Sequence, residues 1–281
     1  MVLIRFAAYL MLSSVFCQVK SVPISGGEPV PADDKTFSFA VSIQYRERNP
    51  TSGKITYKHF CGGVLLQVFN RTGYVITASH CMVNMYGSGK AKEISVVFGA
   101  KNLKNYSGER YNTVSVYKKD YDRYTMAGDI CILKVYFSTC DRPRLNPIRV
   151  ILDEKTACND ACYIFGYGSE KISGDPTLDL RLAPVNIISY DSCLKELGAS
   201  NAPERNSGMF CAVGANPGVD ACLGDSGSGL LCIHKGILAI VGITSYGLDC
   251  GVVGMPGVYT TIAFTSNANF IKSVVSKSDN Q

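Results

Sequence analysis

Short β-prone runs separated by turn residues fill the chain from residue 37 almost to its end, and no other feature restricts the fold as much. Residues 37–45, 63–69, 73–77, 93–98, 111–117 and 130–136 make a first series, and 162–166, 182–188, 209–213, 229–233, 238–244 and 257–261 a second. Many short strands with frequent turns predict an all-β sandwich or barrel. Between the series, Asp141-Arg-Pro-Arg-Leu-Asn-Pro147 holds two prolines and little apolar material, which reads as the start of a linker between two halves. A short helix is expected over 191–197 with Asp191 as its cap, and another over 264–277, where Phe270, Ile271, Val274 and Val275 recur at helical spacing. The halves match in pattern only, without a sequence repeat.

With 281 residues, 46% hydrophobic and 18% charged, the chain can bury a sizeable core and is not a disordered tail. Its net charge of +5 is spread without a dense basic run, which argues against a nucleic-acid surface. Residues 1–17 read as a secretory signal, with Arg5 ahead of an apolar core over 6–16. Cleavage is expected after Cys17 or after Ser21, leaving a short propeptide that ends at residue 23. A membrane span needs about 20 apolar residues, and none occurs later. Export permits disulfides, and the 12 cysteines are spread as a disulfide framework would be. Asn70-Arg-Thr72 and Asn105-Tyr-Ser107 are N-glycosylation sequons that fit the same route.

The chemistry gathers in Asp220-Ala-Cys-Leu-Gly-Asp-Ser-Gly-Ser-Gly-Leu230. Gly224 and Gly227 allow a tight turn whose N–H groups can converge on one point, as an oxyanion requires, so Ser226 is a candidate nucleophile. Gly-Asp-Ser-Gly is equally an ordinary surface turn. Among His59, His80 and His234, His80 differs in its setting. It follows an apolar strand within Val75-Ile-Thr-Ala-Ser-His-Cys81 and is pinned by a neighbouring cysteine, which suits a general base. Asp129 stands at the mouth of the apolar run Ile130-Cys-Ile-Leu133, where a carboxylate needs a partner; a strand-end cap is the plainer role.

Thr77-Ala-Ser-His-Cys81, Asp129-Ile-Cys-Ile-Leu133 and Gly224-Asp-Ser-Gly227, in the order His, Asp, Ser, resemble the motifs of the chymotrypsin/trypsin family of serine endopeptidases. The resemblance runs from Ile24 to about the end of the chain. It implies two packed six-stranded antiparallel β-barrels, over about 24–145 and 146–262, and a C-terminal helix, all within one peptidase domain over 24–281. It implies that Ser226 attacks the scissile carbonyl, that His80 takes its proton, that Asp129 orients His80 with support from Ser245, and that Gly224 and Ser226 N–H groups form the oxyanion hole. Asp220 falls at the base of the primary pocket, with Ala221, Tyr246, Gly247 and Gly257 around it, which implies cleavage after Arg and more weakly after Lys. The implied disulfides are Cys61–Cys81, Cys162–Cys232, Cys193–Cys211 and Cys222–Cys250; apart from the resemblance, Cys140 and Cys158 flank the linker and are a candidate pair, and Cys131 inside an apolar strand reads as a buried free thiol. The family's calcium-loop carboxylate positions hold Ala100 and Arg110 here, so neither a metal nor a cofactor is expected. The implied partners are protein or peptide substrates with Arg or Lys at the cleaved bond, and protein inhibitors. Neither nucleic acid nor membrane is implied, and the protein is expected to be a secreted monomer.

Activation departs from the family pattern. A cut before Ile24 would free an ammonium to pair with Asp225, but Pro23 rather than a basic residue precedes that bond. Signal cleavage after Ser21 followed by removal of Val22-Pro23 by a Xaa-Pro dipeptidyl peptidase is one route. Ser228 replaces a usual glycine and is expected to strain its turn slightly. The loop over 46–58 is long and basic, either a solvated hairpin tip or a docking site for an acidic partner. A catalytically impaired homologue that acts as a binding or competitor protein is the alternative reading.

Overall fold

The computed structural model describes residues 24–87, 94–106, 109–137, 145–153, 161–171 and 174–276. The expected signal, the propeptide and the Cys140–Cys158 pair lie outside them. The strands are β1 (Glu28–Pro29), β2 (Ala40–Arg48), β3 (Ile55–Phe69), β4 (Thr72–Thr77), β5 (Ile94–Phe98), β6 (Tyr111–Lys118), β7 (Cys131–Tyr136), β8 (Arg149–Val150), β9 (Cys162–Gly166), β10 (Arg181–Ile188), β11 (Met209–Gly214), β12 (Gly229–His234), β13 (Ile237–Tyr246) and β14 (Gly257–Thr261). The helices are α1 (Ser79–Gly87), α2 (Tyr190–Leu197) and α3 (Thr265–Val275).

Strands β2-β3-β4-β7-β6-β5 close into one barrel. Strands β9, β10, β11, β14, β13 and β12 close into a second, because β9 pairs antiparallel with both β10 and β12. Closure leaves few edges for stray pairing. β1 extends the second barrel along β10, and β8 runs parallel to β13. A continuous core joins the barrels, with Phe37, Phe39 and Phe165 packed in tilted and edge-on contacts where they meet, at ring distances of 5.4–5.9 Å. Among the described residues there are four disulfides, Cys61–Cys81, Cys162–Cys232, Cys193–Cys211 and Cys222–Cys250. Cys131 is a buried free thiol, its pKa pushed up to about 12 by burial. No helix among the described residues is long and apolar enough to cross a membrane.

Three local expectations are corrected. Residues 36–39 form a 3-10 turn rather than the start of a strand. Phe37 and Phe39 are buried on either side of a half-buried Ser38, so the turn imitates strand alternation. The basic segment over 46–58 is not all loop. β2 and β3 run on past the barrel as a ribbon, pairing Tyr45 with Lys58 and Arg48 with Ile55. Its exposed charges hid the period-2 pattern. In α2, Asp191 sits in the first turn and Ser189 is the cap, its Oγ accepting from Ser192 N–H at 3.1 Å. α3 buries Ala268, Ile271 and Val274, as its spacing predicted.

Candidate active site

β4 and β7 pair antiparallel with Thr77 opposite Cys131, so the residues just past one strand lie beside those just before the other. That register brings His80 to Asp129 across 49 residues of sequence. Ser79 Oγ fastens the junction by donating to Ile130 O at 2.7 Å. Asp129 is fully buried, and its charge is met on every side. Oδ1 accepts the His80 backbone N–H at 2.9 Å, and Oδ2 accepts His80 Nδ1–H at 2.8 Å and the Ser245 hydroxyl at 2.6 Å. A carboxylate only accepts, so His80 Nδ1 carries a hydrogen and Nε2 is the ring nitrogen that Asp129 leaves unengaged.

Ser226 lies beside this pair. Its carbonyl and His80 Nε2 are each 3.8 Å from Cys81 Sγ. Its hydroxyl makes no hydrogen bond to His80 among the described contacts, and such bonds are often long in ligand-free sites. Cys61, His80 and Cys81 cluster closely, but both sulfurs are joined to each other, which leaves no thiolate for a metal. The loop that carries Ser226 is tied to the first barrel by Gly62 N–H to Ser226 O at 2.8 Å, and to β13 by Gly227 N–H to Thr244 O at 2.9 Å. Gly224 and Gly227 take φ of 96° and 82°, left-handed values that other residues rarely hold. The Gly224 and Ser226 N–H groups donate to no other described residue, so both are free for an oxyanion.

Ser228 does not break this turn, since its N–H still donates to Asp225 O at 2.9 Å. Gly62 makes the room: a Cβ there would fall 1.8 Å from Ser228 Oγ. The buried hydroxyl finds no partner among the described residues. Ser228→Ala should therefore raise stability by about 1 kcal/mol, read from urea unfolding; a lower midpoint would contradict this.

A cleft of ≈340 Å³ opens next to Ser226, lined by Asp220, Ala221, Ser226, Ser245, Tyr246, Gly247 and Gly257 among others. Asp220 lies buried at its base, and its Oδ2 accepts Gly251 N–H at 3.3 Å. Burial raises its pKa to about 7, with Asp225 and Asp249 adding to the rise and backbone N–H bonds opposing it. A Cβ on Gly257 would come within 3.4 Å of Asp220 Oδ1, so a larger residue there would narrow the base.

Asp225 is buried and held by Gly168 N–H at 2.8 Å and Cys222 N–H at 2.9 Å, and burial still raises its pKa to about 7. Gly166 and Gly168 shape this niche, since a Cβ on either would strike the Asp225 carboxylate. Sequence reading missed both, although Gly166-Tyr-Gly168 is a visible signal. Ile24 is fully buried among Val219, Leu230 and Tyr259, and Ser25 bridges Asp220. Ile24 holds a φ of 37°, a strained value for a β-branched residue. His59, also missed as a site residue, reaches the loop from the first barrel, its Nε2 lying 2.9 Å from Gly224 O. Both sequon asparagines are exposed, Asn70 in the β3–β4 turn and Asn105 ahead of residues outside the described set.

A family model described as Trypsin matches residues 24–271. Human serine protease 41 is 32% identical over 226 residues, 75% of this chain and 67% of its own length. Human serine protease 56 is 30% identical over 211 residues, 72% of this chain but only 33% of its own length.

Proposed function

Because this chain belongs to the trypsin family, we propose that it is a secreted serine endopeptidase that cleaves peptide bonds after Arg, and after Lys more slowly. The observation that carries this reading is the buried Asp129 carboxylate gripping His80 Nδ1 at 2.8 Å, with Nε2 and Ser226 both close to Cys81 Sγ and Ser226 lining one cleft with the buried Asp220. Ser226 Oγ attacks the scissile carbonyl as its proton passes to His80 Nε2, and Asp129 stabilises the imidazolium. The Gly224 and Ser226 N–H groups hold the oxyanion. His80 then gives the proton to the leaving amine, and water releases the acyl group from Ser226 by the same steps.

Asp220 selects the cation. A guanidinium can meet its carboxylate through two parallel bonds, whereas an ammonium meets it as a point charge. Ala221 offers no hydroxyl to help the ammonium. Paired Arg and Lys peptides test the order; equal rates, or preference for an aromatic residue, would refute it.

A cut before Ile24 is the proposed activation step, for which N-terminal sequencing of the secreted protein is the direct check. It would relieve the strained Ile24 backbone and supply an ammonium for Asp225. While uncut, Asp225 has its folded pKa raised to about 7, above the unfolded value. The native state then binds more protons than the unfolded chain, and stability falls as pH rises from about 4 to 7. The new ammonium would bring that pKa down and remove the loss. The Ile24-start form should melt higher than the form retaining Val22-Pro23, with a gap that widens from pH 4.5 to pH 7.5. A pH-independent gap in thermal melts would refute the pairing.

A further inference from the structure

A line of hydrogen bonds enters the oxyanion loop from outside the cleft. Arg110 Nε donates to Gln44 Oε1 at 3.0 Å, and Gln44 Nε2 donates to Ser42 Oγ at 3.1 Å. Ser42 Oγ lies 2.9 Å from His59 Nδ1, and His59 Nε2 lies 2.9 Å from Gly224 O. The ends set every proton. The Gly224 carbonyl can only accept, so Nε2 carries a hydrogen. Burial lowers the His59 pKa to about 4, so the ring is neutral and Nδ1 must accept from the Ser42 hydroxyl. The arginine at the other end can only donate. Each group thus donates to the next, and bonds aligned in one direction polarise and strengthen one another.

Ser42, Gln44 and His59 are buried, and Tyr167 meets the His59 ring edge-on at 5.5 Å. Only Arg110 reaches the surface, its guanidinium 4.5 Å from the Tyr57 ring on the β2–β3 ribbon and 5.5 Å from Tyr106.

We propose that Gln44 and Arg110 are positioning residues for the oxyanion hole: they set the proton order of this line, which holds the Gly224 carbonyl on His59 and keeps the Gly224 N–H turned into the cleft. The inference rests on the protease reading above and adds to it two residues outside the cleft.

Gln44→Glu tests it, because the shape and the acceptor for Arg110 stay while the donor to Ser42 is lost. The Ser42 hydroxyl should turn to the carboxylate, His59 Nδ1 should lose its donor, and the ring should move its proton off Nε2. Nitrogen-15 NMR of labelled histidines reads this without turnover. His59 should be protonated on Nε2 in the wild type and on Nδ1 in the variant. In kinetics, kcat should fall about tenfold, below the 10²–10³ of losing a hole donor outright. KM and benzamidine affinity should hold, and affinity for an arginine-type peptide boronate, a transition-state mimic, should fall with kcat. Arg110→Gln, a change at the protein surface, should move kcat and boronate affinity the same way by a smaller factor. Wild-type His59 protonated on Nδ1, or a Gln44→Glu protein with full boronate affinity, overturns the proposal. Wild-type protein with the expected tautomer but no boronate binding overturns the protease reading, and the positioning role with it.

Discussion

Ser226→Ala should lower kcat on an arginine peptide by about 10⁶-fold and leave benzamidine binding unchanged. On the proposed mechanism the hydroxyl forms the acyl bond, whereas the variant keeps what surrounds it. The loop is held by backbone bonds from Gly62 and Gly227, which alanine does not touch. The Gly224 and Ser226 N–H donors survive, so about 10³–10⁴ of acceleration over water should remain. His80→Ala should cost about as much as Ser226→Ala, and the double variant little more, because the two residues act as one unit. Single-turnover assays on protein that begins at Ile24 read all three. If Ser226→Ala kept more than about 1% of kcat, Ser226 would not be the nucleophile.

Asp220→Asn should reduce kcat/KM on arginine substrates by about 30- to several-thousand-fold, as expected when one member of a buried charge pair is neutralised. The pH dependence carries the sharper signature. Burial raises the Asp220 pKa to about 7, so below that pH the free pocket holds a neutral acid and attracts a cation weakly. Benzamidine affinity should weaken as pH falls through about 7 and level off above it. A bound amidinium favours the carboxylate, so binding at pH 6 should release a proton, visible as a buffer-dependent heat in calorimetry. Asp220→Asn should bind weakly at every pH and release none. Wild-type affinity that is flat from pH 5 to pH 8 would show that Asp220 is ionised throughout.

Much of the architecture was legible because strand runs and turn residues are local signals. The strand runs lie within three residues of their observed bounds except that β3 begins eight residues before its expected start, and four of the expected cysteine pairs are observed, Cys140–Cys158 lying outside the described residues. The misreadings have local causes. Phe37 and Phe39 alternate in burial on a turn as they would on a strand. Solvent on both faces of the β2–β3 ribbon erased its hydrophobic period.

The sequence by itself determined the order of His80, Asp129 and Ser226, the glycines around the serine, and the acid at position 220. These are residue identities at short spacing, and the chemistry that needs them is written in the motif. Only the tertiary structure decided which buried polar groups satisfy one another. Gln44 meets Arg110 across 66 residues, and His59 meets Gly224 across 165. Ser228 has room only because Gly62 faces it from the other barrel. Asp225 waits in a niche cut by Gly166 and Gly168. The reason is physical. A buried donor or acceptor must find its partner wherever barrel closure and strand register bring one, and that place is not encoded in its own neighbourhood along the chain.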